Sequence, residues 1–348
     1  MVRNITILPG SSLTSNPQFI SSLVSLLGFN SSASRILGKF SSGESRCEII
    51  DSIRGKDVFI IQTFGCHDDS GNTVNDYLME LCIMISACKG GSAKRVVVVL
   101  PVFPYGMQGN DNNNNNKRGG GGEKGEWCGK DGYKTWVFAQ SGRLIADLLT
   151  CAGADRILTC DLHESTYQGF FDVPVDNLFA RGLLKRYIEY EVLPGEKEVV
   201  IVSPDAGGAK RASVIADGLG LGFALIHKER ETKMMLVGDV RGKLCVLVDD
   251  LADTGRTIIR AARLCKKEGG AKRVIALLTH GIFSGDAIER INGAVDLDQV
   301  VVTNTVGQGK HCEMCPKLKV LDMSPMFAEA IRRVHHGESI SVLFQFDT

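Results

Sequence analysis

Leu244-Cys245-Val246-Leu247-Val248-Asp249-Asp250-Leu251-Ala252-Asp253-Thr254-Gly255-Arg256-Thr257-Ile258 is the stretch that decides how this chain folds. The apolar run Leu244–Val248 predicts a buried strand. It ends in two adjacent carboxylates, passes through an Asp-Thr-Gly-x-Thr turn, and enters a helical pattern that runs to Lys267. A strand, a tight loop and a helix N-terminus in that order present backbone amides and two hydroxyls to an anion. The carboxylates beside it cannot take phosphate directly. They suit ribose hydroxyls, or a Mg²⁺ that escorts a polyphosphate. A plain strand end with Asp253 or Thr254 capping the helix is the bland alternative, and the contiguity of acid pair and turn argues against it.

Outward from this stretch, short β-branched runs alternate with helical patterns over the whole chain. Ile5–Leu8, Val58–Gln62, Val96–Leu100, Ile157–Cys160, Val199–Val202, Phe223–Ile226, Val274–Leu278 and Val300–Thr303 read as further strands. Helix candidates lie between them at Asn75–Lys89, Gln140–Ala152, Ala209–Leu219, Thr257–Glu268 and Met326–Val334. Such alternation predicts an α/β fold whose mostly parallel sheets are covered by helices on both faces. The pattern occurs twice, and Ala-Lys-Arg-Val leads into a strand in each half, at Ala93–Val96 and Ala271–Val274. We therefore expect two related α/β domains over residues 1–151 and 152–325, with 326–348 packing back on the first. Residues 109–132 interrupt the order, because the tracts Asn112–Asn116 and Gly119–Gly122 cannot build a core. They read as a surface insertion.

At 348 residues the chain is long enough for two cores. Forty basic and forty acidic residues cancel, which removes the broad electrostatic reason to expect nucleic acid. The longest apolar run, Val96–Val102, holds a proline and falls far short of a membrane span. Eleven cysteines without a legible signal peptide read as free thiols in a reducing, cytoplasmic setting. Cys312-Glu313-Met314-Cys315 is one CxxC with no partner pair, so it reads as a loop with free thiols rather than a closed zinc site.

The acid pair and its loop resemble the phosphoribosyl diphosphate signature of type I phosphoribosyltransferases and ribose-phosphate diphosphokinases. The rest of the chain selects the second. Phe40–Glu44 with Ser52-Ile53-Arg54-Gly55, Phe103-Pro104-Tyr105, Asp161-Leu162-His163, Ser203-Pro204-Asp205-Ala206-Gly207-Gly208, His227-Lys228-Glu229-Arg230 and Thr279-His280-Gly281 all resemble that family in order. Tyr133-Lys134-Thr135-Trp136 and Ser324-Pro325 are similar to fungal subunits that carry insertions. The resemblance implies two phosphoribosyltransferase-like domains, and transfer of the diphosphoryl group of ATP to O1 of ribose 5-phosphate, with Mg²⁺ required. It also implies an oligomer, either of one chain or with paralogous subunits.

Site roles follow from the same resemblance. Asp253, Thr254, Gly255, Arg256 and Thr257 would hold the 5-phosphate, with Asp249 and Asp250 on the ribose hydroxyls or metal. Arg256 stands where the family commonly has a small residue, and either adds a phosphate contact or points into solvent. His163 and Asp205 match Mg²⁺ ligands. Lys228 and Arg230 match the cations that stabilise the transferring group, at the start of a loop reaching about Leu236. Phe40, Glu44 and Gln108 match ATP contacts. Ser52, Arg54, Ser92, Ser339, Ser341 and Phe344 match a phosphate/ADP regulatory site between subunits. The ATP side departs from the pattern: Ser42 stands where the family has Asn or Asp, Met107 replaces a phosphate-contacting Arg, and two following lysines are missing. Loss of one charge-assisted contact costs on the order of 1.5–3 kcal/mol. That departure supports a rival expectation, a non-catalytic regulatory or scaffolding subunit, against which the intact phosphate loop, His163, Asp205, Lys228 and Arg230 all argue.

Overall fold

A parallel strand buried on both faces needs an apolar residue at every position. The run Arg95–Leu100 supplies them: Val96, Val98 and Leu100 enter one core layer while Val97 and Val99 enter another. The computed structural model describes residues 4–29, 33–65, 71–106, 141–230 and 233–344. Its first part holds β1 (Ile5–Pro9), β2 (Arg35–Lys39), β3 (Ser45–Ile49), β4 (Asp57–Ile61), β5 (Arg95–Leu100), β6 (Arg156–Cys160) and β7 (Val175–Leu178). Strands β1-β4-β5-β6-β7 form one parallel sheet in that order, and β2 with β3 forms a separate antiparallel hairpin. The second part holds β8 (Val199–Ser203), β9 (Gly222–Arg230), β10 (Lys233–Val237), β11 (Leu244–Ala252), β12 (Arg273–Gly281), β13 (Gln299–Thr303) and β14 (Leu318–Leu321). Their order is β10-β9-β8-β11-β12-β13-β14, parallel except for the β9–β10 pair.

Helices cover both sheets: α1 (Pro17–Leu26), α2 (Val74–Gly90), α3 (Ser141–Ala152), α4 (Arg181–Tyr187), α5 (Ala209–Leu219), α6 (Arg256–Lys267), α7 (Ala287–Gly293), α8 (Gly309–Met314) and α9 (Ser324–His336). Local chemistry sets their ends. Thr73 and Asp76 form a reciprocal capping box that starts α2, and α9 stops at Gly337 in the left-handed conformation with φ 69°. One continuous core layer includes Leu158 of the first sheet, Val246 and Leu277 of the second, and Phe327 of α9.

The α/β class and the expected strands and helices are present with small shifts at their ends. Three readings need correction. First, β6 pairs with β5 and β7 with β6, which extends the first sheet past residue 151, so the change of sheet falls between Leu178 and Val199. Second, the segment after Lys228 is not one open loop: β9 runs to Arg230 and turns back as β10. It lies at a sheet edge where Met235 and Val237 are exposed, so no buried apolar run marks it in the sequence. Third, Cys312 lies in the short helix α8 rather than a loop. The insertion at 109–132 lies outside the described residues.

The C-terminal helix α9 lies on α1, with the Phe19 and Phe327 rings edge to face at 5.7 Å. At its end, His335 Nδ1 lies 2.7 Å from Asp57 Oδ2, which also accepts from Arg95 Nη2 at 2.6 Å. Asp57 is buried at the start of β4. Removing it leaves an arginine and a histidine facing each other without their shared carboxylate. Asp57→Ala is therefore expected to cost about 2 kcal/mol, read as a lowered denaturation midpoint. Hydrogen exchange at α9 is expected to rise before that of β11.

Candidate active site

Strand order reverses once in the second sheet. The chain goes from β8 outward to β9 and β10, then returns to place β11 on the other side of β8. The carboxyl ends of β8 and β11 therefore diverge at a topological switch point, where α/β sheets bind ligands. Asp205 follows β8, and Asp249 and Asp250 lie near the end of β11. Gly208 lets these strands meet: a Cβ there would lie 3.1 Å from Ser203 Oγ and 3.7 Å from both Asp205 Oδ1 and Asp249 Oδ1. Asp205 Oδ1 itself accepts from Gly208 N at 2.9 Å.

The two adjacent carboxylates are buried, at 9% and 4% exposure, which is rare without compensation. Arg211, in the first turn of α5, reaches both, with Nη1 at 3.5 Å from Asp249 Oδ1 and 3.3 Å from Asp250 Oδ1. From the first sheet, His163 places Nδ1 2.7 Å from Asp250 Oδ2. Burial, followed by the neighbouring Asp250 charge, pushes the Asp249 carboxyl well above the usual carboxylate range. Burial works in the same direction on Asp250, but the His163 hydrogen bond and then Arg211 outweigh it and hold that carboxyl below its usual range. The same hydrogen bond raises the His163 imidazole against the effect of its burial. Asp250 also lines the cleft.

After Ala252 the chain forms the loop that begins α6. Gly255 caps the helix in the left-handed region at φ 69°, and a Cβ there would press Ile291 at 3.2 Å. Arg290 anchors the loop from α7, donating to the Thr254 carbonyl and pairing with Asp286. No side chain caps α6, and the first-turn amides of a helix have no partner within it. Thr254, Arg256 and Thr257 are exposed at this end, and Asp253 Oδ1 is buried with no hydrogen-bond partner. Of the two readings of Arg256, solvent exposure is the one the free chain shows.

A cavity of about 100 Å³ lies between the two sheets, lined by the carboxyl ends of their strands. Phe64 and Gly65 come after β4, Val102 to Gly106 after β5, Asp161 to His163 after β6, and Asp250, Leu251 and His280 from the second sheet. The walls are fastened by a buried polar seam whose roles were not legible in the sequence. His280 Nε2 lies 3.0 Å from the Cys160 carbonyl and so carries the proton, leaving Nδ1 to accept from the Thr305 hydroxyl at 2.9 Å. Burial pushes the His280 pKa down, which keeps the ring neutral. Asp161 Oδ2 accepts from Thr279 Oγ1 at 2.6 Å and Ala180 N at 3.0 Å, from a backbone at φ 40°. Thr63 Oγ1 donates to the Thr305 carbonyl at 2.6 Å. Thr279 and His280 did give one signal, a polar pair ending an apolar strand.

The other expected site residues are distributed as follows. Lys228 and Arg230 stand on β9 opposite Met234 and Lys233, and their side chains fall outside the described residues, as do Met107 and Gln108. Phe40 and Glu44 close the β2–β3 turn, joined by the Phe40 N–H to Glu44 O hydrogen bond of 2.9 Å. Both are exposed and neither lines the cavity; Ser42 Oγ donates to Glu44 Oε2 at 2.6 Å, and the Arg46 guanidinium lies 5.8 Å from the Phe40 ring centre. Gly55 N donates to the Ser92 carbonyl at 2.9 Å, and Ser52 and Arg54 border a groove beside that turn. Ser339 and Ser341 share a 2.7 Å hydrogen bond near the C-terminus, and the Phe344 ring packs on Phe179 at 5.5 Å. No hydrogen bond among the described residues joins these two groups. Nor do three or more His, Cys, Asp or Glu side chains among the described residues form a ready-made metal cage. Cys312 and Cys315 are free thiols.

Comparison with known proteins identifies the family and the fold. A family model described as the N-terminal domain of ribose phosphate pyrophosphokinase matches residues 11–117, and one described as the phosphoribosyl synthetase-associated domain matches residues 229–345. The chain is 51% identical over 315 residues to ribose-phosphate pyrophosphokinase 5 of Schizosaccharomyces pombe, covering 88% of this chain and 89% of the relative. It is 47% identical over 311 residues to ribose-phosphate pyrophosphokinase 2 of the same organism, covering 88% of each. The crystal structure of phosphoribosylpyrophosphate synthetase from Mycobacterium smegmatis superimposes with a TM-score of 0.80 at 37% identity, over 96% of this chain and 99% of that one.

The His163–Asp250 pair makes stability depend on pH in a defined sense. His163 is raised, so its contribution is complete below its ordinary value of about 6.5 and is lost as pH climbs through the folded value. Asp250 is lowered, so its contribution is present above about 3.9 and disappears as pH falls toward the folded value. His163→Gln is expected to flatten the alkaline side of the stability profile of the free protein, measured as denaturant midpoints from about pH 5 to pH 9. An unchanged slope would show that the contact does not hold in solution.

Proposed function

This chain belongs to the ribose-phosphate pyrophosphokinase family, and we propose that its cleft transfers the diphosphoryl group of ATP to O1 of ribose 5-phosphate, giving phosphoribosyl diphosphate and AMP. The observation that carries the reading is the acid pair and anion loop at one switch point, facing a second wall that supplies His163. The amides of Asp253 to Thr257 take the 5-phosphate at the N-terminus of α6. Asp249 and Asp250 accept from the ribose hydroxyls, which fixes the sugar with O1 directed into the cleft. Phosphoryl transfer of this kind depends on positioning and charge neutralisation rather than covalent help. Lys228 and Arg230, on the β9–β10 hairpin, meet the charge developing on the transferring group.

The donor set suits Mg²⁺. Buried carboxylates in excess of the cations around them, with Asp205 adding charge beside Asp249, call for a hard cation with oxygen ligands. We assign His163 and Asp205 to it, with Asp250 orienting the His163 ring. When bound, Mg²⁺ supplies the charge neutralisation that lets a polyphosphate enter a site lined by carboxylates. Phe40 and Glu44, with Gln108, take the adenine and phosphate side of ATP. Their hairpin stands outside the cavity, which supports an assembly of several subunits, homo- or hetero-oligomeric. Ser52, Arg54, Ser92, Ser339, Ser341 and Phe344 form two separate groups, which supports a regulatory anion site completed between subunits. Among the described residues no helix is long and apolar enough to cross a membrane, and free thiols support a cytoplasmic setting. The intact acid pair and loop do not favour a purely scaffolding role despite Met107 and Ser42.

AMP release from ATP and ribose 5-phosphate with Mg²⁺, using the purified chain, tests this function. Turnover that needs both substrates is expected. Lys228→Ala and Arg230→Ala are each expected to lower kcat about a hundredfold, with KM for ribose 5-phosphate little changed. No turnover in a sample that binds ribose 5-phosphate would reverse the assignment in favour of the scaffolding subunit.

A further inference from the structure

Arg211 belongs to none of the roles assigned so far, yet it touches both members of the acid pair. Its Nη1 lies 3.5 Å from Asp249 Oδ1 and 3.3 Å from Asp250 Oδ1. The placement is built by the backbone: β8 pairs directly with β11, and the turn through Gly207 and Gly208 starts α5 against the end of that neighbour. Arg211 follows in the first turn of α5, immediately before the fully buried Ala212 that anchors this face of the helix. A guanidinium offers several donors in one plane and keeps its charge when desolvated.

The contact is looser than the tight ion pairs at the strand ends of both sheets. Arg95 meets Asp57 at 2.6 Å, Arg156 meets Asp176 at 2.5 Å and Lys266 meets Asp298 at 2.8 Å. Arg211 spans two carboxylates at longer range and saturates neither. Their remaining acceptor capacity is left for a ligand, and Asp250 lines the cleft. A carboxylate has about four acceptor sites, so a loose brace holds its orientation without competing for the face that a sugar hydroxyl would use. Without the brace, two adjacent buried carboxylates repel each other, and nothing else on α5 holds them apart.

Resting on the ribose 5-phosphate reading of the cleft, we propose that Arg211 is the positioning residue that sets the orientation of Asp249 and Asp250 for the ribose hydroxyls and offsets their charge before a metal arrives. Two consequences separate this from a merely structural ion pair. Loss of the guanidinium weakens use of ribose 5-phosphate and not of ATP. It also leaves the free site more negative, so a divalent cation binds the substrate-free protein more tightly.

The experiment compares wild type, Arg211→Met and Arg211→Lys in the full chain. Michaelis constants come from AMP release, and Mn²⁺ binding to the substrate-free protein is measured by electron paramagnetic resonance. In Arg211→Met the KM for ribose 5-phosphate is expected to rise about tenfold or more while that for ATP stays within about twofold. Mn²⁺ binding by the same variant is expected to tighten about threefold or more. Arg211→Lys keeps the charge but loses the fork, and is expected to leave Mn²⁺ binding near wild type with an intermediate KM for ribose 5-phosphate. An unchanged KM for ribose 5-phosphate, or one that rises in step with that for ATP, overturns the proposal. Should circular dichroism show Arg211→Met unfolded, the Arg211→Lys split between the two Michaelis constants decides by the same criterion. Wild-type protein that releases no AMP overturns both this proposal and the function it rests on, whereas an active wild type with an indifferent Arg211→Met overturns the brace alone.

Discussion

The parallel pairing of β8 with β11 governs what the rest of the molecule can do. Strand order reverses there, so the helices that follow the two strands leave on opposite sides and open a crevice at their carboxyl ends. Asp205, Gly208 and Arg211 come from one side of the crevice, and Asp249, Asp250 and the α6 loop from the other. In the first sheet the order β1-β4-β5-β6-β7 runs without reversal, so no comparable crevice opens within it. That sheet contributes a wall instead. The seam between the sheets brings His163 within 2.7 Å of Asp250, and the site is therefore a product of both halves.

Electrostatics explains why so polar a centre survives in so apolar a fold. Every strand that reaches the cleft is buried up to its last residues, and polarity begins where the strands end. Across the seam Asp161 accepts from Thr279 and Ala180, and His280 is satisfied by the Cys160 carbonyl and the Thr305 hydroxyl, at low cost because each of these donors finds an acceptor. The acid pair is different. Asp249 and Asp250 are adjacent and buried, Asp250 tightly bonded to His163 and the two sharing Arg211 only at longer range, an arrangement a structural core would avoid. Two adjacent buried carboxylates are a poor device for stability. They are a good one for a ligand that carries hydroxyls, phosphate and a divalent cation together.

Much of this was legible in the sequence because the decisive features are local. The apolar run, the acid pair and the turn at Gly255 lie within one short stretch, and each follows from the chemistry of its own residues. Half-exposed elements were less legible. In β2 and β3 half-buried positions alternate with exposed ones instead of forming a run, and β10 lies at an edge, where exposed Met235 and Val237 leave no buried period to read. The contacts of Arg211 and His280 were hidden for another reason. Their partners lie 38 and 120 residues away along the chain, and only the strand order brings them together. The place where one sheet gives way to the other was hidden likewise, because nothing local in Arg156–Cys160 says which sheet will take it.

The seam also limits how the cleft can move. A hinge between the sheets would have to part the shared core layer and break Thr63 from Thr305, Cys160 from His280 and Asp161 from Thr279. Each of these bonds is buried, and breaking one without water to replace it costs on the order of 1–3 kcal/mol. Closure around a substrate is therefore better served by elements that carry no such load. The β9–β10 hairpin is one: it pairs through β9 at the sheet edge and its outer face is exposed at Met235 and Val237. In the proposed reaction the two cations that must meet a transferring group, Lys228 and Arg230, ride on that hairpin, while the residues that fix ribose 5-phosphate ride on the rigid switch point. Rigidity where the sugar is held, and freedom where charge is neutralised, follow from one topology.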